Sequence, residues 1–227
     1  MVNFLVSPRL RDPAVEPRSA QSIHARPLKR VADTLIAIVL LVLLSPVLLV
    51  IAILVRSTTP GGSLFRQTRV GRGEKPFTIY KFRTMDVGCS DEVHKRYVRD
   101  LLSGQRTDGD ELFKLADDPR VTRVGAWLRR TSLDELPQLI NVARGDMALI
   151  GPRPVLPFEA ALFRGEQRLR FVVRPGLTGL WQVSGRSRIG FVEQLAIDAR
   201  YVRDQGFVLD LKILVLTVPA LLARRTR

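Results

Sequence analysis

The densest run of chemically capable side chains in this 227-residue sequence is Leu128-Arg129-Arg130-Thr131-Ser132-Leu133-Asp134-Glu135-Leu136-Pro137-Gln138. Ser132 and Glu135 stand at capping-box spacing. A helix starting at Ser132 would put Pro137 past the first free N–H groups. A start at Leu133 or Asp134 removes most of that conflict. Either way, two adjacent carboxylates sit at a helix N-terminus. In most sequences such a pair is an acidic cap, worth about 0.5–2 kcal/mol. A helix N-terminus also holds a carboxylate ionised and attracts phosphate. In that reading Asp134 can attack phosphorus to give an acyl phosphate. Glu135 can hold Mg²⁺, which prefers oxygen ligands and bridges phosphates. Arg129, just before the helix, can neutralise charge on a transferred group.

Two further stretches offer cations. In Gly151-Pro152-Arg153-Pro154, two prolines fix φ on either side of Arg153. That is a rigid mount for a phosphate-binding guanidinium. Alone, such a loop is more often a structural turn; its short distance from the Asp134 helix gives it weight. On an expected strand from Pro76 to Met85, Ile79, Lys81 and Arg83 share one face, and Tyr80, Phe82 and Thr84 the other. Lys81 and Arg83 can hold a phosphate or simply be solvated.

Composition narrows the chemistry. Cys89 is the only cysteine, and His24 and His94 are the only histidines. A disulfide framework and a thiolate zinc site are excluded, and a Ser-His-Asp hydrolase has little support. The net charge of +14 calls for an anionic partner: nucleic acid, an anionic membrane or a phosphorylated substrate. Residues 1–85 carry 13 basic and 4 acidic side chains. Inside that basic half lies Leu35 to Val55, uncharged and with Ser45 as its one polar residue.

The elements that must carry these residues follow. As a helix, Leu35 to Val55 would be about 32 Å long, enough to cross a bilayer. Ser45-Pro46 falls at its middle, where proline removes a backbone hydrogen bond and forces a kink or break. A kinked spanning helix is one reading. The basic flanks, Arg18, Arg26, Lys29 and Arg30 before it and Arg56, Arg66, Arg69, Arg72 and Lys75 after it, favour another. Positive flanks stay in the cytoplasm, so a hairpin that dips in and returns keeps both inside. The Ser45 hydroxyl is then a partner for the freed backbone, and Asp33 would cap the first helical half or pair with Arg30.

Residues 1–28 read as a flexible basic leader, 29–56 as the membrane hairpin, 57–206 as a catalytic domain and 207–227 as an interfacial helix with a basic tail. Within the catalytic domain, the expected elements are a hairpin of Leu64 to Val70 with Pro76 to Met85, and a polar helix from Glu92 to Leu102. Gly104 to Asp110 reads as a loop. A basic helix is expected from Val121 to Arg130, with Val121, Val124, Trp127 and Leu128 on one face. Another is expected from Asp134 to Ala143, closed by Gly145. Val155 to Arg168 reads as helix, Pro175 to Gly179 as a turn, Phe191 to Asp204 as an amphipathic helix, and Leu211 to Leu222 as interfacial helix. The fold class is α/β, mostly α with a small β-hairpin.

From Leu28 to Thr217 the chain resembles the bacterial sugar transferase family, the monotopic polyprenyl-phosphate hexose-1-phosphate transferases. The resemblance is carried by Lys29-Arg30 with Asp33 before Ser45-Pro46, by Arg69-Val70-Gly71, and by Tyr80-Lys81-Phe82-Arg83-Thr84-Met85. It continues through Asp118 to Gly125, Ser132 to Gln138, Gly145-Asp146-Met147, Gly151 to Pro154, Pro175 to Gly179 and Leu209 to Lys212. In size the chain is similar to the short exopolysaccharide-priming members. The resemblance implies transfer of hexose-1-phosphate from a UDP-hexose to undecaprenyl phosphate with release of UMP, at the cytoplasmic face of the bacterial inner membrane. It implies Asp134 as nucleophile and Glu135 as a Mg²⁺ ligand. It places Lys81, Arg129 and Arg153, and with them Arg83, on phosphates or nucleotide. Anionic membrane lipid is an expected partner; a second copy of the chain and downstream glycosyltransferases are partners the reading allows. The alternative is a non-enzymatic basic membrane adaptor. Nucleic acid is not expected, since no helix-turn-helix or RNA-binding signature is present.

Overall fold

The computed structural model describes residues 21–86, 88, 92–102, 120–184 and 190–222. It is mostly helical, with two two-stranded sheets. Two helices open it, α1 (Gln21–Leu43) and α2 (Ser45–Thr58), bent by 65° at the break between them. The cause is local. Pro46 has no N–H to offer the Val42 carbonyl, and the Ser45 hydroxyl takes that carbonyl at 2.8 Å. The ladder is intact on both sides, from Leu44 N to Leu40 O and from Leu48 N to Leu44 O. Among the described residues no single helix is long and apolar enough to cross a membrane; only this bent pair passes by length and composition.

One side of the bent pair packs on the rest of the chain. Ala37, with Leu40, Leu41 and Leu44, joins a core of Leu139, Val142, Met147, Ile150, Tyr201 and Ile213. Ile51 and Val55 meet Phe82 and Leu128. The other side leaves Val39, Val42, Leu43, Leu49, Val50 and Ile53 exposed. Asp33 departs from expectation. α1 begins well before it, so Asp33 lies inside the helix and pairs with Lys29 at 3.5 Å, not with Arg30. Lys29 also reaches Asp210 at 2.8 Å.

Strand β1 (Leu64–Val70) pairs antiparallel with β2 (Pro76–Phe82), from Leu64 opposite Phe82 to Val70 opposite Pro76. The turn uses positive φ at Gly73 and Glu74. The second strand stops three residues short of Met85, which instead forms an isolated bridge with Val121. Helix α3 (Glu92–Leu102) has the expected bounds. Helix α4 (Arg123–Thr131) is capped by the Thr122 hydroxyl, which accepts from Gly125 N at 2.9 Å. Leu128 is buried as expected, but Trp127 is exposed.

The expected single helix from Asp134 to Ala143 is two pieces. A 3₁₀ segment, Leu133–Gln138, precedes α5 (Leu139–Arg144). Pro137 has no N–H to carry an α-helical ladder, so the first turn winds more tightly. Ser132 is not a side-chain cap; it sits at φ 58°, between α4 and the 3₁₀ segment. Gly145, at φ 84°, ends α5 as predicted.

A short strand β3 (Ala148–Ile150) then runs parallel to β4 (Gly176–Thr178), where a turn was expected. The pairing needs glycine: a Cβ on Gly176 would lie 2.1 Å from Gly151 N. Between these strands the expected helix from Val155 to Arg168 is broken. α6 covers only Pro157–Leu162, and a 3₁₀ stretch, Gly165–Val172, follows after Gly165 enters left-handed φ. Then come α7 (Leu180–Ser184), α8 (Phe191–Asp204) with its predicted bounds, and α9 (Phe207–Leu222), which starts four residues earlier than expected. Of the flexible leader expected over residues 1–28, residues 21–28 form the first turns of α1 instead; its residues 1–20, the Gly104 to Asp110 loop and the basic tail at Arg224 to Arg227 lie outside the described residues.

Candidate active site

The site forms where β2, the 3₁₀ segment and the Gly151-Pro154 loop meet. Asn141, fully buried in α5, fixes their relative position. Its side-chain oxygen accepts from Tyr80 N at 3.1 Å and its amide donates to Thr78 O at 2.6 Å. One side chain thus stands in as a strand partner for β2. Lys81, the next residue, points to the 3₁₀ segment and meets Glu135 Oε1 at 2.9 Å. Arg153 reaches the same oxygen at 3.1 Å. Arg129 lies beside them, its Nε donating to the Thr84 hydroxyl at 2.9 Å.

Asp134 makes no hydrogen bond or ion pair among the described residues, while its neighbour holds two cations. Burial and the adjacent Glu135 charge push the Asp134 carboxyl up, against the pull of Lys81, Arg153 and Arg129. Burial alone would raise Glu135 as well. The Lys81 and Arg153 ion pairs outweigh it and hold Glu135 well below the usual carboxylate range. Lys81 is lowered by burial and by Arg153, with Glu135 opposing. The two neighbouring carboxylates therefore differ: Glu135 is neutralised by two ion pairs, while Asp134 is buried beside it with its carboxyl pushed up. Such splitting of paired groups marks acid, base and nucleophile sites.

A shallow recess beside the ion pairs is lined by Lys81, Arg153, Gln138, Arg69, Ile79 and Leu177. Three of its lining side chains, Arg69, Lys81 and Arg153, are cationic.

Of the residues singled out from sequence, Lys81, Asp134, Glu135, Arg129 and Arg153 come together. Arg83 does not join them. Past the end of β2 the alternation of faces no longer applies, and its guanidinium turns back to the carbonyls of Gly62 at 3.0 Å and Gly61 at 3.1 Å. Ser45 and Pro46 lie in the bent helix pair and act there on backbone. Sequence reasoning missed Asn141 and Gln138 as site-forming residues; a buried amide within an apolar helix face was their only signal.

Among the described residues no group of three or more His, Cys, Asp or Glu side chains is placed to hold a metal ion unaided. The donor set nevertheless suits Mg²⁺, which commonly binds one or two carboxylates and completes its shell with water and phosphate oxygens. Among the described residues, neither carboxylate oxygen of Asp134 has a partner, and Glu135 uses Oε1 for its ion pairs with Lys81 and Arg153.

The family model described as bacterial sugar transferase matches residues 24–224. The UDP-galactose-lipid carrier transferase of Erwinia amylovora is 40% identical over 200 residues, covering 88% of this chain and 41% of that protein. The exopolysaccharide production protein ExoY of Rhizobium meliloti is 41% identical over 197 residues, 87% of this chain and 86% of that one. The UDP-glucose:undecaprenyl-phosphate glucose-1-phosphate transferase of Escherichia coli is 40% identical over 206 residues, 85% of this chain and 40% of the relative. The chain thus spans about two fifths of the longer relatives and most of the short one.

Proposed function

This chain belongs to the bacterial sugar transferase family, and we propose that it moves hexose-1-phosphate from a UDP-hexose to undecaprenyl phosphate, a priming step of exopolysaccharide or other surface-glycan synthesis. The observation that carries the mechanism is the uncommitted Asp134 carboxylate beside a Glu135 neutralised by Lys81 and Arg153.

In the first displacement an Asp134 oxygen attacks the β-phosphorus of the UDP-hexose. A bond forms between that oxygen and phosphorus, the bond from phosphorus to the bridging oxygen breaks, and UMP leaves with the electron pair. In the second, a phosphate oxygen of undecaprenyl phosphate attacks the same phosphorus. The acyl–phosphate bond breaks, Asp134 regains its charge, and undecaprenyl-diphospho-hexose departs. Lys81 and Arg153 share their charge between Glu135 and the phosphate oxygens, and Arg129 adds a third cation as negative charge builds up. Glu135 and Asp134 would hold Mg²⁺, which supplies charge neutralisation on the diphosphate when bound.

A lipid phosphate and a soluble nucleotide-sugar meet only at a membrane surface. We infer that the bent α1–α2 pair enters from the cytoplasmic face and returns to it, with α9 lying in the interface. Supporting this are the 65° bend, the apolar outer side of the pair and the basic flanks.

The test is UMP release from UDP-hexose by purified protein with undecaprenyl phosphate. Asp134→Asn should abolish it, a loss of about 10³-fold or more; near-normal turnover would remove Asp134 as nucleophile. A panel of radiolabelled UDP-sugars transferred into lipid extract identifies the hexose.

A further inference from the structure

Arg153 is aimed by backbone that other residues hold. Three consecutive carbonyls around it each accept a hydrogen bond from outside the loop. Pro152 O accepts from Gly176 N at 2.8 Å, Arg153 O from Arg170 Nη2 at 2.6 Å, and Pro154 O from Arg69 Nη1 at 3.2 Å. Gly176 and Arg69 line the recess. Arg170 comes from behind, out of the protein interior. It is 6% exposed and pairs at 3.0 Å with Asp198 of α8, itself 1% exposed. Around the pair lies an apolar cluster that includes Phe163, Phe171, Phe191 and Leu195, with the guanidinium 5.3 Å from the Phe163 ring centroid.

A buried ion pair is a poor source of stability, because two apolar side chains of similar volume do as well or better. Here the pairing is also incomplete. Asp198 Oδ2 meets Arg170, but among the described residues the buried Oδ1 has no hydrogen-bond partner. Burial pushes the Asp198 carboxyl up to about 6 in spite of Arg170. An aromatic cluster could have closed over apolar residues at both positions. What the ion pair delivers, and apolar residues could not, is an N–H on the Arg153 carbonyl.

We propose that Arg170, oriented by Asp198, is a positioning residue for the transfer reaction: it fixes the Arg153 peptide so that the Arg153 guanidinium meets Glu135 and an incoming phosphate. The reaction is the one proposed above, and the positioning claim rests on it. Neither residue touches substrate.

The test replaces the pair with apolar residues, Arg170→Met with Asp198→Leu, in the full chain in detergent. The melting temperature should stay level or rise, while kcat/KM for UMP release falls about tenfold or more. In an Arg153→Lys background the same two changes should cost less than about threefold, because Arg170 acts through Arg153. Undiminished activity, or losses that multiply in that background, would overturn the proposal. Should the double variant not fold, Arg170→Lys serves instead. Nη2 makes both contacts, and a lysine side chain is one bond shorter, so its Nζ falls short of the point from which Asp198 and the Arg153 carbonyl are both met; a loss of about tenfold is expected there too, and full activity counts against it. Hydrogen exchange at the Gly151, Arg153 and Val155 amides gives an arm that needs no turnover. It should quicken in the variants while β1 and β2 are unchanged; unaltered exchange overturns the brace. Wild-type protein that releases no UMP would refute the reaction, with exchange still deciding the brace.

Discussion

At the scale of single residues, the site turns on what each charge is already bound to. Lys81 and Arg83 look equivalent in sequence, two cations one strand repeat apart. The strand ends between them, and the two side chains go to different work. Lys81→Met should therefore cut kcat/KM by about 10²-fold or more. Arg83→Gln should lower the melting temperature through the lost Gly61 and Gly62 contacts, with kcat within about threefold of normal; a larger kcat loss would bring Arg83 back into the site. Glu135→Gln removes the anchor of Lys81 and Arg153 and a proposed Mg²⁺ ligand together, so half-maximal activity should require more Mg²⁺. An unchanged Mg²⁺ titration would separate Glu135 from the metal. Asp198 permits a signed pH prediction. Its folded value of about 6 lies above the ordinary aspartate value of about 3.9, so the folded protein binds the proton more tightly. The stability this contributes is complete below about pH 4 and is lost as pH rises through about 6, on the order of 3 kcal/mol. Melting temperatures at pH 5 and pH 7.5 should therefore converge in Asp198→Asn relative to wild type.

At the scale of elements, local signals were legible and long-range ones were not. The bounds of β1, α3 and α8 follow from turn residues and hydrophobic period alone. The parallel pairing of β3 with β4 was not foreseen. Three-residue strands carry too little alternation to see, and their pairing depends on Gly151 and Gly176 approaching in space. The carboxylate pair and the Arg153 mount could be read from residue types. That Asn141 would pair with the β2 backbone, or that Arg170 would reach the Arg153 carbonyl, is set by tertiary packing with no sequence period. The Ser45-Pro46 break was legible because proline's missing N–H acts on its own turn. It also carries the element-scale prediction. Pro46→Ala restores a donor for the Val42 carbonyl and should straighten the α1–α2 pair. Turnover should then fall, and one flank should become reachable from outside intact cells. A Pro46→Ala protein with normal activity would show that the bend is not needed.

At the scale of the whole molecule, charge and apolar surface describe one orientation. Phe207 and Val208 at the start of α9 are 83% and 79% exposed, and Val215 and Val218 are also open. The outer side of the bent pair adds Val39, Val42, Leu49 and Ile53. Scattered exposed apolar residues need no account, but contiguous faces of this size do. α9 cannot be a loosely attached tail. Ile213 is fully buried, and the Thr217 hydroxyl meets that of Thr178 on β4 at 2.9 Å. Lys29 ties α1 to Asp210 of α9, and Asp210 accepts from the Tyr201 hydroxyl at 2.8 Å. The α1–α2 pair, α9 and the recess wall are therefore tied together by direct contacts, and under the proposed insertion its depth would set the height of Asp134 above the bilayer. Two consequences can be measured. Phe207→Ser with Val208→Ser should weaken binding to vesicles of anionic lipid without changing the melting temperature, since neither side chain is in the core. For topology, Cys89 is first replaced by Ser and a cysteine is then introduced at Pro60, just beyond α2. If the pair returns to the cytoplasm, that cysteine resists an impermeant thiol reagent in intact cells and reacts after lysis. Labelling from outside would mean that the pair crosses the membrane. Asp134 and the basic flank before α1 would then lie on opposite sides, and undecaprenyl phosphate and UDP-hexose could not meet at this site on the cytoplasmic face.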